Sequence, residues 1–285
     1  MIIVEPKITV PYIDGVEIMK NIEKAGRTCY KSEVKTDDSY KTFIKNCIKS
    51  GHESVIEHEK ITVRLIADRG VMWDITRHRI CNFSIESTRF CNYSKDKFGK
   101  EIKVIRPFFF DGEKDPKYKA WEDAIKQSEK SYFEILDNGG IPDYARMVLP
   151  ASLATEICMT ANIREWRHIF LLRCQKTVHP HVRQIMIPLL LHFKEKMPEL
   201  FEDIPYDEEF AEKYKNDLAK IECELTELQR YVADQLYEIA GKSLDDEVIG
   251  DNYPYFAGYS SGYQEGKKDI LCNISGMIYS DKINK

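Results

Sequence analysis

At 285 residues, 43% hydrophobic and 31% charged, the chain has the makeup of a folded globular protein able to bury a sizeable core. A formal net charge of −5 excludes a surface built throughout to grip nucleic acid, but leaves room for a local basic pocket. No apolar run approaches the roughly 18 to 20 residues of a membrane span.

The start, MIIVEPKITVPYI, has no basic region and no unbroken apolar core, so it does not read as a signal peptide, and a cytoplasmic protein is expected. Residues 14–31 and 37–50 carry apolar residues at helical spacing, the second opened by Thr36-Asp37-Asp38 and closed by Gly51. Residues 60–67 (KITVRLIA) alternate and read as a strand. Residues 69–79 suit a short helix with Val71, Met72 and Ile75 on one side, and 102–110 a further strand. A charged amphipathic helix is expected over 115–137, stopped by Gly139-Gly140, then a short one over 142–149 halted by Pro150. Residues 152–162 fit strand or helix equally, while 163–174 and 180–197 read as helices. From 208 to 241 apolar residues recur at three- and four-residue spacing, which predicts a long charged helix, and the Tyr/Gly/Ser-rich last forty residues read as an irregular extension. No repeat or long linker appears. The expected fold class is α+β: a mixed helix/sheet domain over 1–207, with a helical and irregular extension over 208–285 packed on it.

Several chemistries find no support. The dinucleotide fingerprint GxGxxG is absent, and Gly262 to Lys268 has the wrong spacing for a phosphate loop. The eight cysteines form no CxxC pair and no zinc spacing, so reduced, largely buried thiols are expected, none singled out as a nucleophile. His179-Pro180-His181 reads as a turn opening a helix rather than a metal site, and no metal is expected.

Two basic clusters remain. The first is Arg77-His78-Arg79 with Arg89, beside Ser84 and Ser87; guanidinium forks match phosphate, carboxylate and the edges of planar heterocycles. A solvated basic loop would look the same. In the second, 162–173, helical spacing puts Arg164, Arg167, His168 and Leu171 on one face and Trp166, Ile169, Phe170 and Arg173 on another. Arg173 therefore ends an apolar stripe, where a guanidinium is costly unless something accepting meets it. A structural salt bridge and a ligand explain this equally well. With Arg146 as a third cation just before the helix stop at Pro150, and with aromatics and few acidic partners, an anionic planar ligand such as a nucleotide is suggested.

These residues resemble the flavin-dependent thymidylate synthases, whose signature of Arg-His-Arg, then Ser, Asn-Glu, Ser and Arg-Tyr stands here as RHRICNFSIESTRF over 77–90. GHESVIEH (51–58), ARMVLP (145–150) and TANIREW…LLR (160–173) are similar to family segments in the family order, and the resemblance spans roughly residues 10–205. Asn82 replaces the signature serine, Ser84 the asparagine and Phe90 the tyrosine. Ile85 takes the place of the signature glutamate, with a carboxylate one position later at Glu86.

The resemblance implies a homotetramer with shared active sites and a methyltransferase of nucleotide biosynthesis. It would convert dUMP to dTMP using methylenetetrahydrofolate, with NADPH as reductant through bound FAD. By position, the FAD set is His52, Ser54, Glu57, Arg77, His78, Arg79, Ile85, Asn162, Arg164 and His168. The dUMP set is Asp74, Arg77, Ile85, Glu86, Ser87, Thr88, Arg89, Arg146 and Arg173. Arg173 matches the catalytic arginine that meets the uracil ring and favours ionisation at N3. No nucleic-acid or membrane partner is implied. The competing expectations are another flavin-dependent C5 modification, such as hydroxymethylation, and a non-enzymatic nucleotide- or RNA-binding protein.

Overall fold

The computed structural model describes residues 1–29, 31–34 and 36–224. In chain order the elements are β1 (Ile2–Val4), β2 (Lys7–Pro11), α1 (Gly15–Thr28), α2 (Ser39–Lys49), β3 (Lys60–Asp68), α3 (Arg69–Ile75), β4 (Asn82–Ile85), β5 (Lys103–Ile105), α4 (Pro116–Asp137), α5 (Pro142–Ala145), β6 (Ala154–Asn162), α6 (Ile163–Arg173), α7 (Pro180–Lys196), α8 (Pro198–Phe201), α9 (Glu208–Lys213) and β7 (Lys220–Glu224). A 3₁₀ segment, Glu53–His58, precedes β3. The chain divides into Met1–Glu222 and Cys223–Lys285; among the described elements only β7 reaches past the first unit.

The alternation read in 60–67 builds the centre of the sheet. Ile61, Val63, Leu65 and Ala67 of β3 are buried, and the intervening residues face outward. β3 pairs antiparallel with β6 along its whole length, from Lys60 opposite Asn162 to Asp68 opposite Ala154. Residues 154–162, undecided on pattern, are therefore strand: their own alternation buries Thr155, Ile157, Met159 and Ala161. The sheet order is β4-β6-β3-β2-β7, with β1 and β5 a separate parallel pair.

Helices α6 and α7 supply the main core with Trp166, Ile169, Phe170, Leu190 and Phe193, all fully buried. Trp166 stacks on Phe170 with ring centroids 5.6 Å apart, and its Nε1 donates to the Ile61 carbonyl at 3.1 Å, so α6 is pinned to the start of β3. Each such side chain contributes about 1.5–3 kcal/mol through burial alone. A second cluster lies under α4, around Tyr93, Ile102, Val104, Ile125, Tyr132 and Leu153. At Gly15 a Cβ would sit 1.8 Å from the Lys196 carbonyl oxygen, so the start of α1 and the end of α7 approach as closely as backbones can.

Three expectations need correction. The strand expected over 102–110 stops at Ile105: Pro107 has no N–H to extend a ladder, and Phe110 N donates to the Pro107 carbonyl in a turn. The long helix expected from 208 breaks after Lys213, and Lys220–Glu224 is a strand, because the apolar spacing was compatible with several short elements. The rest of that expectation, from 225 onward, lies outside the described residues, as does the irregular extension. Finally, the acidic neighbours taken to be scarce are supplied by tertiary structure, as the site shows.

Candidate active site

Two strand ends create the site. Asn162 closes β6 opposite Lys60, and its Oδ1 accepts from Glu165 N at 2.8 Å, capping α6. Ile163 N donates to the Glu59 carbonyl at 3.0 Å, which holds the Glu53–His58 segment against the start of α6. At the other end of β3, Asp68 Oδ1 accepts from Val71 N at 2.7 Å and caps α3. Val71, Met72 and Ile75 face inward as the pattern required, and α3 delivers the turn that carries Arg77, His78 and Arg79.

These pieces shape an open cavity of about 670 Å³, lined by Glu53, Glu57, Arg77, His78, Arg79, Ile80, Asn162, Arg164, Glu165, Arg167, His168, Leu171 and Leu172. Arg164 sits between two carboxylates, 2.5 Å from Glu57 and 3.4 Å from Glu53; the Glu57 hydrogen bond raises its already high pKa. Arg77, Arg79 and His168 are exposed along the wall. Arg167 is not an open cation as its face suggested. It is buried, forks onto Asp203 at 2.8 and 2.7 Å, and donates to the Leu200 carbonyl. Its hydrogen bond holds the Asp203 carboxyl below its usual range.

His78 is the buried centre. Arg173 Nε donates to its Nε2 at 2.9 Å, its Nδ1 lies 3.4 Å from Glu165 Oε1, and the His168 ring meets it edge-on at 5.8 Å. Burial, then the Arg173 charge and His168, lower its pKa to about 4, so the ring is neutral near pH 7. Burial raises the Glu165 carboxyl above its usual value. The neighbouring Cys81 thiol is pushed up to about 12, by burial and then by Glu165, which makes it a poor nucleophile. Arg173 also donates through Nη2 to the Asp74 carbonyl at 2.8 Å, with the Asp74 carboxylate 3.6 Å from Nη1. The guanidinium ending the apolar stripe is thus met by protein groups, and its side chain remains 19% exposed.

A second group of expected residues gathers on Asp143, whose Oδ1 lies 3.2 Å from both Arg89 Nε and Arg146 Nε. Glu86 is engaged elsewhere: its Oε1 accepts from the buried Tyr93 hydroxyl at 2.7 Å. Ile85 lies in β4 opposite Ile157, Thr88 is buried, and Ser87 is half-buried with its carbonyl closing the turn to Phe90.

Of the residues expected at the site, Glu57, Arg77, His78, Arg79, Asn162, Arg164 and His168 line one cavity, and Arg173 and Asp74 join it through His78. His52 and Ser54 are exposed beside that wall without lining it. Glu53, Glu165 and Asp143 were missed. His179 does open a helix, as N-cap of α7, whereas His181 pairs with the Asp68 carboxylate in the interior. His78, Glu165 and His168 also form the one group, among the described residues, whose ligand-type atoms lie within 4.8 Å of one another. Because Arg173 can only donate, His78 Nε2 is the acceptor and Nδ1 keeps the proton, so a cation there would have to displace it.

The family profile of thymidylate synthase complementing proteins matches residues 14–199. The chain is 32% identical over 207 residues to the flavin-dependent thymidylate synthase of Thermosipho africanus, covering 69% of this chain and 88% of that one. It is 29% identical over 187 residues to the enzyme of the same name from Geobacter sulfurreducens, covering 63% and 78%. A probable flavin-dependent thymidylate synthase of Mycobacterium phage L5 is 26% identical over 212 residues, covering 70% and 86%.

Proposed function

The chain belongs to the thymidylate synthase complementing protein family, and we infer that it catalyses the reductive methylation of dUMP to dTMP with methylenetetrahydrofolate and NADPH. The observation that carries this reading is the convergence of Arg77, His78 and Arg79 with Asn162, Arg164 and His168 on one cavity, although they lie far apart in sequence. The donor set fits FAD. Arg77, Arg79 and Arg164 offer cationic forks suited to a pyrophosphate, and Ile80, Leu171 and Leu172 offer apolar surface beside two imidazoles for a planar ring system. When bound, the flavin carries electrons from NADPH to the one-carbon unit.

The chain's own residues bind and polarise the nucleotide. Arg89 and Arg146 hold the dUMP phosphate, exchanging Asp143 for a doubly charged ligand. Arg173, fixed on two sides by His78 and Asp74, turns its remaining donors to the uracil ring and stabilises charge at N3. Asp74, Arg77 and residues 85–88 contribute to the same pocket, Ile85 through its backbone since it has no carboxylate. His52 and Ser54 complete the flavin side. Catalysis is assigned to residues 1–207, with 208–285 as an extension.

A homotetramer with shared sites is supported by large apolar side chains left exposed around these motifs, namely Trp73, Ile80, Phe90, Tyr144 and Met147. Among the described residues no helix is long and apolar enough to cross a membrane, and a cytoplasmic setting accords with a substrate pool of free nucleotides. The test is spectroscopic and chemical. The protein should take up FAD, lose the oxidised flavin band on adding NADPH, and release tritium from C5-labelled dUMP only when folate and NADPH are both present. A protein that cannot bind FAD would overturn the reading.

A further inference from the structure

We propose that Glu165 is a positioning residue: by accepting from His78 Nδ1–H it holds the ring in the tautomer whose Nε2 receives Arg173 Nε–H, and so fixes the plane of the Arg173 guanidinium. This rests on the reading that Arg173 acts on dUMP.

The tautomer follows from donor and acceptor chemistry. A neutral imidazole has one donor and one acceptor nitrogen, and a guanidinium has only donors. With Arg173 Nε 2.9 Å from Nε2, that nitrogen must be bare and the proton must sit on Nδ1. Nδ1 stands 3.4 Å from Glu165 Oε1, at the long edge of hydrogen-bonding range, and the two side chains are only 3% and 8% exposed. The low pKa of His78 keeps the ring neutral, and Glu165 offers a lone pair in either protonation state. Turning the ring over would point a C–H at Arg173.

Arg173 depends on this contact because its other short bond is a single one, to the Asp74 carbonyl at 2.8 Å; the Asp74 carboxylate stands off at 3.6 Å and is 41% exposed. Two anchors define the plane of the fork, whereas one leaves it free to pivot. Glu165 escapes notice in the sequence because Asn162-x-x-Glu165 has the form of a helix start, and its backbone N–H does serve that cap.

The experiment uses the full-length protein, labelled with [15N]histidine, as wild type, Glu165→Gln and Glu165→Leu. The His78 signal is identified by its loss in His78→Gln, and two-bond nitrogen–proton correlations report which nitrogen is protonated. Wild type and Glu165→Gln should show the Nδ1–H form, since the amide oxygen can still accept. Glu165→Leu should lose it, with dTMP turnover per bound flavin falling roughly tenfold or more, as for loss of a hydrogen bond to a charged group. Glu165→Gln should restore most of that turnover. An Nε2–H tautomer in wild type would overturn the proposal, as would Glu165→Leu that keeps the Nδ1–H form and turns over within about twofold of wild type. If the leucine variant does not fold, an Nε2–H tautomer in wild type still overturns the proposal, and a Glu165→Gln variant that loses the Nδ1–H form does so as well. If wild type makes no dTMP while Glu165→Leu still shifts the tautomer, the fault lies in the functional reading and the Glu165–His78 contact stands.

Discussion

Replacing Arg173 by lysine keeps the charge and removes the fork. The guanidinium makes two short bonds from different nitrogens, Nε to His78 Nε2 at 2.9 Å and Nη2 to the Asp74 carbonyl at 2.8 Å. One ammonium cannot span both acceptors and also face a uracil ring. Loss of one hydrogen bond from a charged donor costs about 1.5–3 kcal/mol, or roughly ten- to hundredfold. Removing a donor aimed at developing negative charge costs on the order of 10²–10³ in turnover. Because both effects act through one side chain they do not simply multiply, and a fall in kcat of about a hundred- to a thousandfold is expected. Arg173 does not itself line the cavity, so flavin content should be preserved. Tritium release from C5-labelled dUMP gives turnover, and the visible spectrum gives flavin per chain. If Arg173→Lys turned over within about threefold of wild type, the uracil contact assigned to Arg173 would be wrong.

Arg89→Ala should weaken dUMP binding by roughly tenfold or more while sparing FAD, as loss of a charged hydrogen bond predicts, and isothermal titration with dUMP would measure it. Asp68→Ala removes both the Val71 cap and the hydrogen-bond partner of buried His181, so urea denaturation should show a loss of about 2–4 kcal/mol. In Gly15→Ala the added methyl must displace the Lys196 carbonyl, and the melting temperature should drop clearly. His78 is held neutral in the fold, its pKa lowered from 6.5 to about 4, whereas the unfolded chain protonates it near its ordinary value. The unfolded state therefore binds more protons between those values, and this contribution to stability is present above about 6.5 and lost as pH falls toward 4. Chemical denaturation of wild type and His78→Gln across that window should show a shallower slope for the variant; equal slopes would contradict the assignment.

The elements legible in the sequence are those whose hydrophobic period runs long enough to be counted. β3 declares itself by alternation, and α4, α6 and α7 by helical spacing and by Asp115, Asn162 and His179 at their starts. β1, β2, β4 and the Glu53–His58 segment are not legible in the sequence, because runs of three to six residues repeat any pattern too few times to single it out and owe their form to the partners they pair with. The same limit applied after residue 208, where short elements mimicked one long helix. In the site, the cations stood out as blocks, but their carboxylates did not. Asp143 lies 54 positions from Arg89, and Glu57 lies 107 from Arg164, so only the fold reveals those pairs. Arg167 was misjudged for the same reason, since Asp203 lies beyond any local pattern.

The assignment of dUMP methylation is decided by the nucleotide product. With dUMP, methylenetetrahydrofolate, NADPH and FAD-loaded protein, mass analysis should find a product heavier than dUMP by one methyl group in place of a hydrogen, and none when the reductant is omitted. Unchanged dUMP, or a hydroxymethylated nucleotide in its place, would contradict it.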